Sequence, residues 1–335
     1  MNNEHQRLIT QAVKNAFDAD AWLHVETFSR GHSPSVLYKL KIKNKDYVAK
    51  LADPNYSGWN LSTVYGAQIN GFKNAVAPKI YYSNPNTGIL ITDYIEAVSL
   101  DKINHKQPDT LEKLAKLLKR LHLCDDFQQG PSIYDRIEFR HNLLPLDFKS
   151  HPLIKKAIQV KEIIQQTLVD AKDIKPCHGD VSPFNLLFDG NDFCLVDWDT
   201  ATQDNFYFDL ATAMVFFYFD DEDASEVFLK HYFGQAPNQV ERDKLNVMTI
   251  FVYLYYGINL AYTSSVTKIN LLSQESIEAL PSYSQFMDSI GSGKVNLDDG
   301  QSQQQLGFIY LKMADAVCRG DAFKNSISRL KHRMH

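Results

Sequence analysis

From Val36 to Leu51 apolar and polar residues alternate: Val36-Leu37-Tyr38-Lys39-Leu40-Lys41-Ile42, a polar break at Lys43-Asn44-Lys45-Asp46, then Tyr47-Val48-Ala49-Lys50-Leu51. A period of two puts every other side chain on one face of a strand, so this stretch predicts a β-hairpin. A second hairpin is predicted from Ile80-Tyr81-Tyr82, the turn residues Ser83-Asn84-Pro85-Asn86-Thr87-Gly88, and Ile89-Leu90-Ile91-Thr92. One helix, around Leu61 to Gly71, falls between them. The N-terminal part therefore reads as a mostly antiparallel sheet.

After Tyr94-Ile95-Glu96 the period changes. Leu111, Leu114, Leu117, Leu118 and Leu121 recur at helical spacing behind Pro108-Asp109, a start signal. A second helix is predicted from Leu153 to Asp170. Two short strands follow, Leu186-Leu187-Phe188 and Phe193-Cys194-Leu195-Val196, hinged on Asp189-Gly190-Asn191-Asp192. Helices are then expected at Leu210 to Phe219, Val227 to Phe233, Leu245 to Tyr262 and near Leu306 to Val317. The expectation is an α+β chain with two lobes: an antiparallel β small lobe over residues 1–95 and a mainly helical large lobe over 96–335.

Composition narrows the picture. With 335 residues, 44% of them hydrophobic, the chain can bury one or two cores. A net charge of −5 and a pI near 6.1 argue against a nucleic-acid partner, since such a surface repels phosphates. Met1 to Thr10 is polar and no window approaches the ~18 apolar residues that span a bilayer, so no membrane span and a cytoplasmic location are expected. Cys124, Cys177, Cys194 and Cys318 are scattered without a Cys-x-x-Cys pair and read as small buried side chains. The basic stretch Lys324 to His335 reads as a solvated helix end. Nothing in the sequence fixes an oligomeric state.

The candidate chemistry sits in Cys177-His178-Gly179-Asp180-Val181-Ser182-Pro183-Phe184-Asn185 and Val196-Asp197-Trp198-Asp199. Asn185 precedes the first short strand and Asp197 ends the second, so pairing the strands brings two oxygen ligands to one end. Carboxylates and an amide oxygen suit Mg²⁺, a hard ion, and phosphoryl transfer needs such an ion beside an aligned hydroxyl. Turns also collect Asp and Asn for backbone reasons. Here, however, both acids adjoin apolar strand residues and Trp198 follows Asp197, an unusual setting for a solvated turn. Ser289-Ile290-Gly291-Ser292-Gly293-Lys294 lacks the spacing and the Ser or Thr of a phosphate-binding loop and reads as an ordinary loop.

These motifs, with Ser29-Arg30-Gly31-His32-Ser33-Pro34-Ser35, Tyr47-Val48-Ala49-Lys50 and Phe208-Asp209-Leu210-Ala211, resemble the aminoglycoside phosphotransferase and choline kinase superfamily. Phe228-Leu229-Lys230-His231-Tyr232-Phe233-Gly234 and Tyr283-Ser284-Gln285-Phe286 look like its bacterial choline and ethanolamine kinase branch. The resemblance implies a bilobal protein-kinase-like fold that uses ATP and Mg²⁺, with its active site in the cleft between the lobes. It implies that Asp180 orients or accepts the proton of a substrate hydroxyl, that Asn185 and Asp197 hold the metal, and that Lys50 reaches the phosphates. Ser33 and Ser35 would cover the triphosphate, and Asp93, Tyr94 and Ile95 would meet the adenine. His178 is expected to support the metal-binding segment, and Asp209 to cap its helix or brace the catalytic loop.

One departure stands out. Most relatives pair the lysine with a helix glutamate, whereas no acidic residue lies between Asp53 and Asp93. Gln68, Asn60 or a residue from elsewhere would have to hold Lys50.

For the acceptor, Trp198, Asp199, Tyr253 and Tyr256 are the candidate pocket residues. Tyr255 and Tyr262 lie on the same helix, and Asp220-Asp221-Glu222-Asp223 forms a nearby acidic run. Aromatic faces with a carboxylate suit an ammonium, while aromatic residues at helical stride equally suit core packing. The expected activity is phosphorylation of a small, cationic alcohol of the choline or ethanolamine type. Thiamine, an aminoglycoside or a sugar are alternatives within the same chemistry, and a nucleotide-binding pseudokinase is the alternative outside it. A protein kinase is disfavoured because only Trp198 to Phe208 separates Asp197 from the next helix.

Overall fold

The computed structural model of the protein describes residues 1–28, 35–55, 60–99, 103, 106–219 and 221–333. In chain order these form α1 (Asn3–Phe17), β1 (Leu23–Phe28), β2 (Val36–Ile42), β3 (Lys45–Leu51), α2 (Leu61–Lys73), β4 (Ile80–Asn84), β5 (Ile89–Asp93), α3 (Pro108–Leu121), α4 (Ile133–Leu143), α5 (Leu146–Ser150) and α6 (Pro152–Thr167). Then come β6 (Ile174–Cys177), β7 (Leu186–Phe188), β8 (Phe193–Leu195), β9 (Thr202–Asn205), α7 (Tyr207–Phe217), α8 (Glu222–Phe233), α9 (Gln239–Val266), α10 (Gln274–Glu278), α11 (Tyr283–Gly291), α12 (Gly300–Arg319) and α13 (Asp321–His332).

The chain divides into two compact units. The first comprises Met1–Gly130, Lys175–Asp209 and Phe216–Ala236. Its sheet has the order β1-β2-β3-β5-β4, and each neighbouring pair is antiparallel. Lys43 and Asn44 take positive φ, 46° and 62°, and close the β2–β3 hairpin in two residues, as the strand twist favours. Lys45 and Asp46 therefore join β3 instead of the turn. Ile9, Ala12 and Val13 of α1 pack with Tyr38, Leu40, Ile42, Ala49 and Ile91. α1 was not expected, and it forms because its few apolar residues fall on one face.

α2 starts where Asn60 accepts hydrogen bonds from the backbone N–H of Ser62 and Thr63. Its Gly71 lies so close to Trp198 that a Cβ there would stand 2.3 Å from the indole. The helix is thereby registered on the segment that carries Asp197 and Asp199. The β7–β8 hairpin pairs Leu186 with Leu195, and Leu195 N–H donates to Val76 O at 2.8 Å.

The second unit comprises Pro131–Ile174, Leu210–Val215 and Pro237–His335. α9, begun by an Asn238/Glu241 capping box, is its central helix and packs against α4, α6, α12 and α13. Gly257 and Gly307 let α9 and α12 approach closely: a Cβ on Gly307 would stand 3.0 Å from the Gly257 carbonyl. α9 also corrects one expectation, since by length and composition it is apolar enough to cross a bilayer. Of its most apolar window, 67% is buried inside the protein, so the apolarity serves core packing. The segment Ser289 to Lys294 was expected to be a loop throughout, but Ser289 to Gly291 is the last turn of α11.

Candidate active site

The catalytic loop runs from the end of β6 to the start of β7 and is braced from beneath. Asp209, fully buried at the start of α7, accepts the His178 N–H at 2.8 Å and the Gly179 N–H at 2.9 Å. Gly179 sits at φ 77°, where glycine is favoured. His122 Nε2 lies 3.3 Å from the same carboxylate, and His122 Nδ1 is 2.7 Å from the Tyr232 hydroxyl. Burial alone would push the Asp209 pKa up. His122 and the backbone donors outweigh it and hold the carboxyl below its ordinary value. These contacts run from Asp209 to the backbone of the loop.

His178 is a tie between two segments. Its Nε2 donates to Val196 O at 3.0 Å, and its own carbonyl accepts from Thr200 Oγ1 at 2.9 Å. The ring meets Trp198 edge-on, centroids 5.1 Å apart.

Within the loop, Asn185 Nδ2 donates to Asp180 Oδ2 at 2.8 Å and to Asp180 O at 3.1 Å. The amide nitrogen is thus committed to Asp180, which leaves the amide oxygen as the atom that can face a cation. Val196 N–H donates to Asn185 O at 2.9 Å, so Asn185 and Asp197 are held at one end of the hairpin. Asp197 has φ 61° and ψ 70°. For a non-glycine residue this is a sparsely populated conformation, of the kind that surrounding structure must enforce.

Lys50 Nζ lies 3.0 Å from Asp197 Oδ1 and 2.5 Å from Asp199 Oδ1. Neither Gln68 nor Asn60 supplies this pairing. Asn60 caps α2, and the acids come from 147 and 149 residues further on. Burial opposes the charge on Lys50, and the two carboxylates more than offset it, raising its pKa. For Asp197 too, burial is outweighed by Lys50, and its pKa is lowered. Asp199 is pushed up to about 6 by burial and the adjoining Asp197 charge, against the pull of Lys50. The Lys50 and Asp199 side chains are 11% and 10% exposed, whereas that of Asp197 is 43% exposed.

The donor set fits Mg²⁺. It is made of hard oxygen ligands, the Asn185 amide oxygen and the Asp197 carboxylate, and Asp197 already faces a positive charge, the Lys50 ammonium.

The other expected residues are placed as follows. Ser33 lies outside the described residues, as does Asp220. Ser35 is half-buried just before β2. Asp93 pairs with Lys45 at 2.6 Å. Lys39 Nζ stands 3.7 Å over the Tyr94 ring, whose N–H donates to Asp46 O; Ile95 is half-buried.

Trp198, expected in an acceptor pocket, has no exposed surface and donates its indole N–H to Leu195 O at 2.9 Å. It belongs to the core under the site, because α2 covers it. Asp199, expected beside it in that pocket, instead meets Lys50 with its side chain 10% exposed. Tyr253 and Tyr256 lie in the second unit, each with its ring centroid 6.1 Å from that of Tyr310. Burial pushes the Tyr253 phenol up to about 12. Asp221 caps α8 through the Ala224 N–H and pairs with Lys106 at 3.3 Å.

Sequence reasoning missed His122, which carries no local signal; Tyr232 and Phe184, the latter 78% exposed, were read only as members of their motifs.

The sequence matches the phosphotransferase enzyme family over residues 24–242. That span contains the catalytic loop, the Asp197 segment and Lys50, and the chain belongs to this family. It is 26% identical over 207 residues to protein LicA of Haemophilus influenzae, covering 60% of this chain and 58% of that relative. The match thus spans less than two thirds of the relative's length. Among solved structures, a choline/ethanolamine kinase family protein from Mesorhizobium loti superposes with TM-score 0.67 at 15% identity, over 98% of this chain and 99% of the other. The choline kinase LicA from Streptococcus pneumoniae superposes with TM-score 0.64 at 17% identity, over 93% and 100%. The fold is the α+β protein-kinase-like fold.

Proposed function

We propose that this chain transfers the γ-phosphate of MgATP to the hydroxyl of a small, cationic alcohol of the choline or ethanolamine type. The observation that carries the reading is the bond from the Asn185 amide to the Asp180 carboxylate at 2.8 Å, in a loop closed onto Asp197 through Val196 N–H and Asn185 O. In this reading Asp180 aligns the acceptor hydroxyl and takes its proton as the bond to phosphorus forms. It need not be strongly basic, because phosphoryl transfer has a loose transition state. Asn185 and Asp197 are the residues that would hold Mg²⁺, which when bound neutralises charge on the β- and γ-phosphates. Lys50, on the sheet of the 1–95 segment, bears on the α- and β-phosphates as a point charge. Ser33, Ser35 and the Asp93-Tyr94-Ile95 stretch are the further nucleotide contacts of the reading.

The acceptor class is supported by the family and by the choline and ethanolamine kinases among the fold's relatives. The test is ADP formation from MgATP across a panel of choline, ethanolamine, thiamine, an aminoglycoside and a sugar, with intact protein and with Asp180→Ala. Turnover that needs an added cationic alcohol and vanishes in the variant is expected. Tight MgADP binding with no acceptor-dependent ADP for any alcohol would refute it.

A further inference from the structure

We infer that Asp199 is the positioning residue for Lys50, leaving Asp197 free to change partners; the inference rests on the kinase reading above. Lys50 lies on β3, between β2 and β5 in the sheet, and is only 8% exposed. A buried ammonium needs a paired carboxylate, and α2 contains no acid. The two carboxylates that meet Lys50 are unequal. Asp199 is the closer, at 2.5 Å, and is itself nearly buried; Asp197 is at 3.0 Å and partly exposed. The nearly buried one is suited to a permanent pairing and the more open one to exchange.

Gly71 adds an independent observation. α2 meets this segment by direct packing on Trp198, the residue between the two acids. The helix thus fixes the turn, the turn fixes Asp199, and Asp199 fixes the lysine. Without the Asp199 charge, Lys50 would bear more heavily on Asp197 and compete there with any cation that accompanies the nucleotide. Asp199 acts through the lysine and touches no reacting atom.

The test is a double-mutant cycle read as the MgADP dissociation constant by calorimetry on the full chain, which needs no knowledge of the acceptor. Asp199→Asn and Lys50→Met are each expected to weaken MgADP on the order of 10-fold, the loss of one charge-assisted contact. Adding Asp199→Asn to Lys50→Met is expected to change the constant by less than about 2-fold, since the residue through which Asp199 acts is gone. The Mg²⁺ concentration for half-maximal ADP binding should be unchanged by Asp199→Asn in the Lys50→Met background.

An equal loss from Asp199→Asn in both backgrounds would overturn the inference, as would a single variant that binds like wild type. If Asp199→Asn alone fails to fold, Asp199→Glu, which keeps a carboxylate for the ammonium, takes its place: a weaker loss of MgADP affinity than in Lys50→Met is expected, and no change from wild type on Asp199→Ala in the Lys50→Arg background would overturn the inference. Asp180-dependent turnover together with an additive cycle would sink this inference and leave the kinase reading standing. A coupled cycle without turnover on any alcohol would do the reverse, and wild-type protein that binds no MgADP would refute both.

Discussion

Alanine at Gly71 should destabilise the protein although alanine is the better helix former. A Cβ at this position would stand 2.3, 2.7 and 3.0 Å from Cη2, Cζ2 and Cζ3 of Trp198. Carbon atoms rest at about 3.5–4.0 Å, so ring and helix would have to separate by roughly 1 Å. The ring has little room to yield. It is fully buried, tied by its indole N–H to Leu195 O, and flanked by His178 and Phe127. Overpacking of this kind costs about 1–3 kcal/mol, against a helix-propensity gain of about 1 kcal/mol. Gly66, on the same helix, supplies the control, because nothing lies within 4 Å of a Cβ built there. Gly66→Ala should therefore stabilise by up to about 1 kcal/mol and lie about 1–3 kcal/mol above Gly71→Ala. Chemical denaturation of the two variants and wild type measures the order. Turnover should fall only in Gly71→Ala, by up to ~10²-fold, because a shift of Trp198 moves Asp197 and Asp199 with it. Two variants that unfold together and turn over alike would refute the tight packing of α2 on Trp198.

Asp180→Asn should lower acceptor-dependent ADP formation by ~10²–10⁴-fold and leave MgADP affinity within about 3-fold by calorimetry; a parallel loss of both would remove Asp180 from the chemistry. Asp209→Ala should cost about 3–5 kcal/mol in denaturation experiments, because it strips a buried carboxylate from His122 and two backbone N–H groups; a loss under about 1 kcal/mol would deny the brace. Asp243 accepts from Arg329 Nη2 at 2.6 Å and Ser326 Oγ at 2.9 Å. Burial pushes its pKa up, and Arg329 with Ser326 more than offsets this, holding it below the ordinary 3.8. Its contribution is therefore present above pH ~4 and lost as pH falls through the folded-state value. Asp243→Asn should cost about 1–3 kcal/mol at pH 7, and the gap to wild type should close below pH ~4; a gap independent of pH would refute the ion pair as its source.

The hairpins were legible because strand patterns and turn residues are local signals: β2–β3 carries period-two alternation around its turn, and β4–β5 carries apolar runs either side of turn residues. β1 gives a weaker signal. Its alternation, Leu23-His24-Val25-Glu26, is only four residues long, and Leu23 and Val25 are exposed, as an edge strand allows. In α1 the apolar residues that count are sparse among polar ones, and the helix becomes evident only against the sheet it covers. α9 was foreseen too short, from Leu245, because its first turns are polar and begin at the Asn238 cap.

The candidate loop was legible for a different reason: the residues that it brings together, Asp180 and Asn185, lie five apart in sequence. Lys50 and its partners lie far apart, and their pairing follows from topology. Yet the premises were available in the residues. A lysine in an alternating strand flanked by apolar residues has to bring a carboxylate with it if the strand lies inside the sheet. The 39 residues after Asp53 contain no acid, so the partner had to come from another segment. Val196-Asp197-Trp198-Asp199 offers one carboxylate for a metal and another beyond it. Reading Asp199 as an acceptor contact overlooked that Trp198, between the two acids, is held under α2 by a glycine. With the indole fixed in the core, the two flanking carboxylates are left on the Lys50 side, Asp199 nearly buried and Asp197 partly exposed.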